Sequence, residues 1–174
     1  MDPVRQYQGA VNRAQGKQFE QYIEISLAYY RQQGLAMIEK TPEPMMPCKS
    51  LKNGKCVAYF QKKAQPDYQG TLAGGRSVVF EAKYTAGGKL EQGRVSDEQA
   101  KCLALHQKLG ALCFILAGFG LQNVYAVPWE VWQDMKAGFG RKYVTGADLE
   151  LYRVQHGRNG ILLLFSNIEG RRIE

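Results

Sequence analysis

Asp67, Glu81 and Lys83 are the residues of this sequence whose types and spacing could do chemistry together. Residues 77–83 are rich in β-branched and aromatic types and follow the Gly74-Gly75 pair, the signature of a strand entered from a turn. Strand side chains alternate between faces. Val78, Phe80 and Ala82 therefore point one way, and Val79, Glu81 and Lys83 the other. Residues 68–72 can form the opposing strand of a hairpin and bring Asp67 back toward Glu81. Two carboxylates converging on one point repel each other unless a cation lies between them. A hard divalent ion fits, since Mg²⁺ is typically held by one or two carboxylates with water and phosphate. Without such an ion, Glu81 and Lys83 would be a surface pair and Asp67 a turn residue after Pro66.

Helices must hold such a hairpin in place. Residues 16–33 read as one, with Phe19, Ile23, Leu27 and Tyr30 forming a stripe at four- and three-residue steps and Gly34 as the stop. Glu20 adjoins that stripe; taken alone, it is equally an ordinary surface residue. Residues 1–15 read as a polar, mobile start. Residues 96–109 form a second helix, opened by the capping-box pattern of Ser96 and Gln99, with Cys102, Leu105, His106 and Leu109 as its inward stripe. Between the two, residues 84–95 are glycine-rich and read as a flexible edge. Residues 111–117 are almost wholly apolar, as a strand covered on both faces should be. Residues 35–40, 57–61 and 122–127 read as further strands, and 161–165 as an edge strand. Pro128 opens a short helix carrying Trp129 and Trp132. Asp134 and Lys136 repeat the acid-x-lysine spacing, but in helical surroundings. The class is α/β, in one domain over residues 1–174.

The net charge of +7 points to a polyanionic partner. Lys49, Lys52, Lys55, Lys62 and Lys63 fall in a stretch without an acid, either a solvated loop or a phosphate-binding surface. Residues 41–56 break the strand pattern with prolines, and Asn53-Gly54 is a strong tight-turn signal. A β-like protrusion tipped with lysines accounts for that stretch; an unstructured insertion is the alternative. The four cysteines have no CxxC spacing, so a zinc site is not expected. No apolar run reaches membrane-spanning length and the first residues are unlike a signal peptide, so a soluble cytoplasmic protein is expected.

Asp67 with Glu81-Ala82-Lys83 resembles the PD-(D/E)XK nuclease signature on its β-hairpin. Around it, Asn12-Arg13, the helix carrying Glu20, the proline-rich insertion, Ala58-Tyr59-Phe60 and Asp67-Tyr68-Gln69-Gly70 occur in the order seen in RecU-type Holliday junction resolvases. This resemblance runs from about Asn12 to Trp132. It implies a restriction-endonuclease-like central mixed β-sheet flanked by helices, with a stalk at about residues 42–57 that enters the junction. It implies a Mg²⁺-dependent endodeoxyribonuclease, with Mn²⁺ as an alternative ion, acting as a homodimer on branched DNA in a bacterial or phage-infected cell.

By the same resemblance, Asp67 and Glu81 are metal ligands, and Gln65 and the Ala82 carbonyl complete the set. Lys83 orients the attacking water, with Glu20 and Gln99 assisting. Gln99 is then either a helix cap or a site residue. Arg13, Lys49, Lys52 and Lys55, with Lys62 and Lys63 after the insertion, are the candidate DNA contacts. One departure stands out: Gln65 and Pro66 occupy positions where the family commonly has small hydroxyl residues. The alternatives are a related nuclease acting on duplex or flap DNA, and a junction-binding protein without catalysis.

Overall fold

The computed structural model describes residues 3–42, 45–51, 53, 55–60 and 65–165. Helix α1 spans Pro3–Gln32. Its predicted stripe is its buried face: Phe19, Ile23, Leu27 and Tyr30 are all at most 4% exposed. The helix begins well before Gly16, where the sequence shows no apolar stripe. Pro3 suits a first helical turn, and the polar residues after it include good helix formers. At the other end Gly34 adopts φ +67°. Its N–H donates to Arg31 at 3.0 Å and that of Leu35 to Tyr30 at 2.9 Å, a Schellman stop that turns the chain into the sheet.

The central sheet has the order β1-β4-β5-β7-β8. Its strands are β1 (Ala36–Lys40), β4 (Tyr68–Leu72), β5 (Ser77–Thr85), β7 (Leu112–Phe119) and β8 (Val124–Pro128). All pairs are antiparallel except β5 and β7, which run parallel. A parallel pair needs a crossover, and helix α2 (Asp97–Lys108) lies on it. Tyr68, Phe80 and Phe114 are direct cross-strand partners, and their rings stack at 4.8 and 4.7 Å. That row fixes the register of three strands one residue away from Asp67 and Glu81.

Alternation along β5 sends Val78 and Phe80 into the core beneath α1, and Val79 into a second core on the other face. The second core takes in Leu103 of α2 and both tryptophans of helix α3 (Trp129–Gln133). Asp134 and Lys136 lie at and within the next helix, α4 (Met135–Phe139), as their surroundings predict.

The buried face of α2 differs from expectation. Gln99 and Leu103 are its buried residues, whereas Leu105 and Leu109 are 59% and 77% exposed. The capping box and a polar contact of Gln99, described below, set the helix phase; Ala100, Leu103 and Ala104 pack toward the second core while Leu105 and Leu109 face outward.

The insertion is a β-hairpin of β2 (Met45–Ser50) and β3 (Cys56–Phe60), with Asn53 at φ +64° in its turn. It forms a sheet of its own. Residues 57–60 thus pair with β2 and not with the central sheet as a resumed core strand. Every side chain described in the hairpin is exposed.

The glycine-rich edge is tied down rather than free. β6 (Leu90–Glu91) pairs with β9 (Tyr143–Val144), Leu90 and Val95 are buried, and the Gln92 amide donates to the carbonyls of Trp132 and Gln133 at 3.0 and 2.7 Å. The last strands, β10 (Gln155–His156) and β11 (Leu162–Leu163), pair only with each other. Buried Ser26 of α1 fastens them by accepting from the N–H of Leu162 at 3.0 Å.

Candidate active site

Asp67 enters β4 directly after buried Pro66, and its carbonyl accepts from the N–H of Thr41 at 2.8 Å. The two carboxylates then lock reciprocally. The Asp67 N–H donates to Glu81 Oε2 at 3.0 Å, and the Ala82 N–H donates to Asp67 Oδ2 at 3.2 Å. Each acid thus binds a backbone amide of the other's strand. Pro66 weakens nothing here, because the lock uses the N–H of Asp67 itself.

Alternation places Lys83 beside Glu81, and its ammonium forms an ion pair with Glu81 Oε1. The Lys83 side chain is 14% exposed and that of Glu81 only 1%. The amide nitrogen of Gln99 donates to the same oxygen at 2.7 Å. The other end of that amide accepts from the N–H of Ser96 at 3.1 Å, while Ser96 Oγ accepts from the N–H of Gln99 at 3.2 Å. Gln99 is therefore both helix cap and site residue, because an amide has an acceptor end and a donor end.

Burial is the main force on Glu81 and pushes its pKa up to about 7. The charge of Asp67 pushes the same way, and Lys83 opposes both. A carboxylate is being kept ionisable near neutrality in a place that disfavours its charge.

These groups form the floor of a cleft of about 710 Å³. Arg13, Gly16, Phe19 and Glu20 of α1 make one wall, and Ala86, Gly87 and Arg94 line it from the β5–α2 connection. Glu20 faces the cleft and is held by Lys40 of β1 at 2.5 Å. That contact raises the pKa of Lys40, its hydrogen bond to Glu20 being the largest cause. Gln65 is exposed and is not among the residues lining the cleft. Lys49 and Lys55 are exposed on the hairpin and are not among the residues lining the cleft; the positions of Lys52, Lys62 and Lys63 lie outside the described residues.

Sequence reasoning missed Lys40 and gave Arg94 no role. Lys40 has no local signal: it meets Glu20 only because β1 folds back along α1. Arg94 had one, a cation two residues before an N-cap-like Ser96–Gln99 pattern.

A mixed five-stranded sheet between helical layers, with an acid at the start of one hairpin strand and Glu-x-Lys on the next, defines a protein of the restriction-endonuclease-like class. Hjc of Archaeoglobus fulgidus, a Holliday junction resolvase, has a similar fold. The two align with a TM-score of 0.53 at 12% identity over 91% of this chain and 98% of that one. The sequence profile of the Recombination protein U family matches residues 14–168. The Holliday junction resolvase RecU of Listeria welshimeri is 30% identical over 168 residues, covering 88% of this chain and 82% of the relative. That of Streptococcus sanguinis is 29% identical over 174 residues, covering 95% and 78%. The chain belongs to the Recombination protein U family.

Proposed function

We propose that this chain is a metal-dependent, structure-selective endodeoxyribonuclease that resolves four-way DNA junctions. One observation carries the reading: a buried Glu81 locked to Asp67, with Lys83 paired to it, on the floor of an open cleft in a chain of this family.

The donor set fits a hard divalent ion. Two carboxylates lie close together, and crowding and burial resist the charge on one of them. Among the described residues no group of three or more His, Cys, Asp or Glu could hold a metal. Carboxylate oxygens are hard donors, and Mg²⁺ or Mn²⁺ accepts one or two of them with water and phosphate, whereas a closed zinc site takes four ligands drawn mostly from Cys and His. Asp67 and Glu81 would hold the ion. The Ala82 N–H points at Asp67, and extended geometry turns the Ala82 carbonyl toward the same edge. Gln65 would join them only by turning inward. The bound ion would offset charge on the phosphate and lower the pKa of a bound water.

The chain's own residues do the rest. Lys83 holds the attacking water and faces the charge that grows on the phosphoryl oxygens. Gln99 fixes the Glu81 carboxylate, and Glu20, steadied by Lys40, stands at the rim. The exposed hairpin, with Lys49 and Lys55, is the stalk that enters the junction. Arg13 contacts backbone phosphate from the α1 wall. Symmetric cuts in two strands require two related sites, which a two-fold homodimer supplies. The cytoplasm of a bacterial or phage-infected cell is where such a substrate arises.

The test compares cleavage of a four-way junction with that of linear duplex and flap DNA while Mg²⁺ and Mn²⁺ are varied. Selective, paired junction cuts that vanish in Asp67→Ala and Glu81→Ala support the reading. Equal cutting of all three substrates makes the protein a general nuclease. Binding without cutting at any metal concentration makes it a junction-binding protein.

A further inference from the structure

Two cations of the cleft have no acid paired to them among the described residues. Its charged lining consists of Arg13, Glu20, Asp67, Glu81, Lys83 and Arg94. Glu20 is matched by Lys40, and Glu81 by Lys83. Arg13 and Arg94 form no ion pair among the described residues. The only hydrogen bond of the Arg94 side chain there is a long one, 3.5 Å from Nη2 to the carbonyl of Tyr84. That leaves most of an exposed guanidinium fork unused at the mouth of an acidic floor.

Its placement is specific. Arg94 ends a short 3₁₀ turn, Gln92–Arg94, anchored by buried Leu90 and Val95 and by the Gln92 amide. The backbone that carries it is thus held firmly to the α2 side of the sheet, while Arg13 rises from α1 on the opposite side. A strand crossing Asp67 and Glu81 passes between two unpaired guanidinium groups. Arginine forks bind phosphate in a bidentate manner, which suits them to positioning as well as attraction.

Resting on the nuclease reading above, we propose that Arg94 grips a backbone phosphate flanking the scissile one on the cut strand. It would hold that strand from the α2 side, opposite Arg13, and its role would be substrate alignment.

Wild type, Arg94→Gln and Arg94→Lys would be titrated with a four-way junction in metal-free buffer over a range of salt. Junctions carrying a single uncharged methylphosphonate, moved one at a time through the phosphates flanking the cut, extend the series. Arg94→Gln should lose roughly tenfold in affinity, and its salt slope should fall by about one. Neutralising one flanking phosphate should weaken wild type but cost the Arg94→Gln variant nothing further. Arg94→Lys should keep the salt slope and recover only part of the affinity. A merely structural tie to Tyr84 predicts otherwise: an unchanged salt slope, and every neutral phosphate weakening Arg94→Gln as much as wild type. That result overturns the assignment. Wild type failing to bind the junction at all would instead remove the nuclease reading, and this inference with it.

Discussion

Glu81 links the stability of the fold to pH in a direction opposite to that of most carboxylates. Its pKa rises from 4.5 in the unfolded chain to about 7 in the folded one. The folded state therefore holds this proton more tightly than the unfolded state does. The stability it confers is fully present below 4.5 and is lost as pH rises through about 7. At ~1.4 kcal/mol for each tenfold change in proton affinity, that interval corresponds to ~3 kcal/mol. Glu81→Gln removes the titrating group while keeping an oxygen that can accept from the Asp67 N–H. Chemical denaturation followed by fluorescence of the buried Trp129 and Trp132 measures the difference. Without divalent metal, wild type should lose ~3 kcal/mol relative to Glu81→Gln between the two pKa values. The comparison cancels the two histidines, which both proteins share. Adding Mg²⁺ above neutral pH should restore wild type, because the ion binds the folded, ionised site. It should leave Glu81→Gln nearly unmoved. Parallel pH curves for the two proteins would refute the reasoning, since they would mean that Glu81 is not held beside Asp67 in a dry place.

Other predictions bear on the same machinery. Lys83→Met should cut junction cleavage at least ~100-fold while metal-free binding stays close to wild type, as paired cleavage and titration assays would show. Gln99→Met removes a cap and a donor to ionised Glu81. It should cost about 1 kcal/mol of stability and move the rising limb of the pH–rate profile to higher pH. Gln99→Glu keeps the cap acceptor but sets a third carboxylate against buried Glu81, so it should shift the limb further to higher pH than Gln99→Met does. Gly70→Ala tests the sheet beside the site. A Cβ there would lie 2.6 Å from Ile38 Cα and 2.8 Å from the Met37 carbonyl carbon, both backbone atoms of β1. The strands would have to part, and thermal unfolding should report a loss of about 3 kcal/mol.

The parts of this site that the sequence discloses are those set by local geometry. The i, i+2 relation of Glu81 and Lys83 follows from strand alternation, and the Ser96–Gln99 relation from the first turn of a helix. Each is realised. What the sequence hid depends on which distant segments meet. Residues 57–60 look like a core strand because period-two patterning does not say which strand is the partner; pairing with β2 made them an exposed hairpin instead. Lys40 is one more charge at the end of a strand until β1 folds back along α1 and brings it to Glu20.

The second helix shows why the apolar rule fails at a functional site. Counting apolar residues turns Leu105 and Leu109 inward, and burying them would be favourable by itself. Yet a buried carboxylate without donors costs more than exposed leucines do. Glu81, 1% exposed, takes a donor from the Gln99 amide besides the Asp67 N–H and Lys83, and the phase of α2 supplies it. Leu103 is buried because it lies one turn beyond Gln99 on the same face. The orientation of the crossover helix thus serves both the acid on β5 and the packing of Ala100, Leu103 and Ala104 on the second core, and a residue's polarity alone does not reveal the first demand.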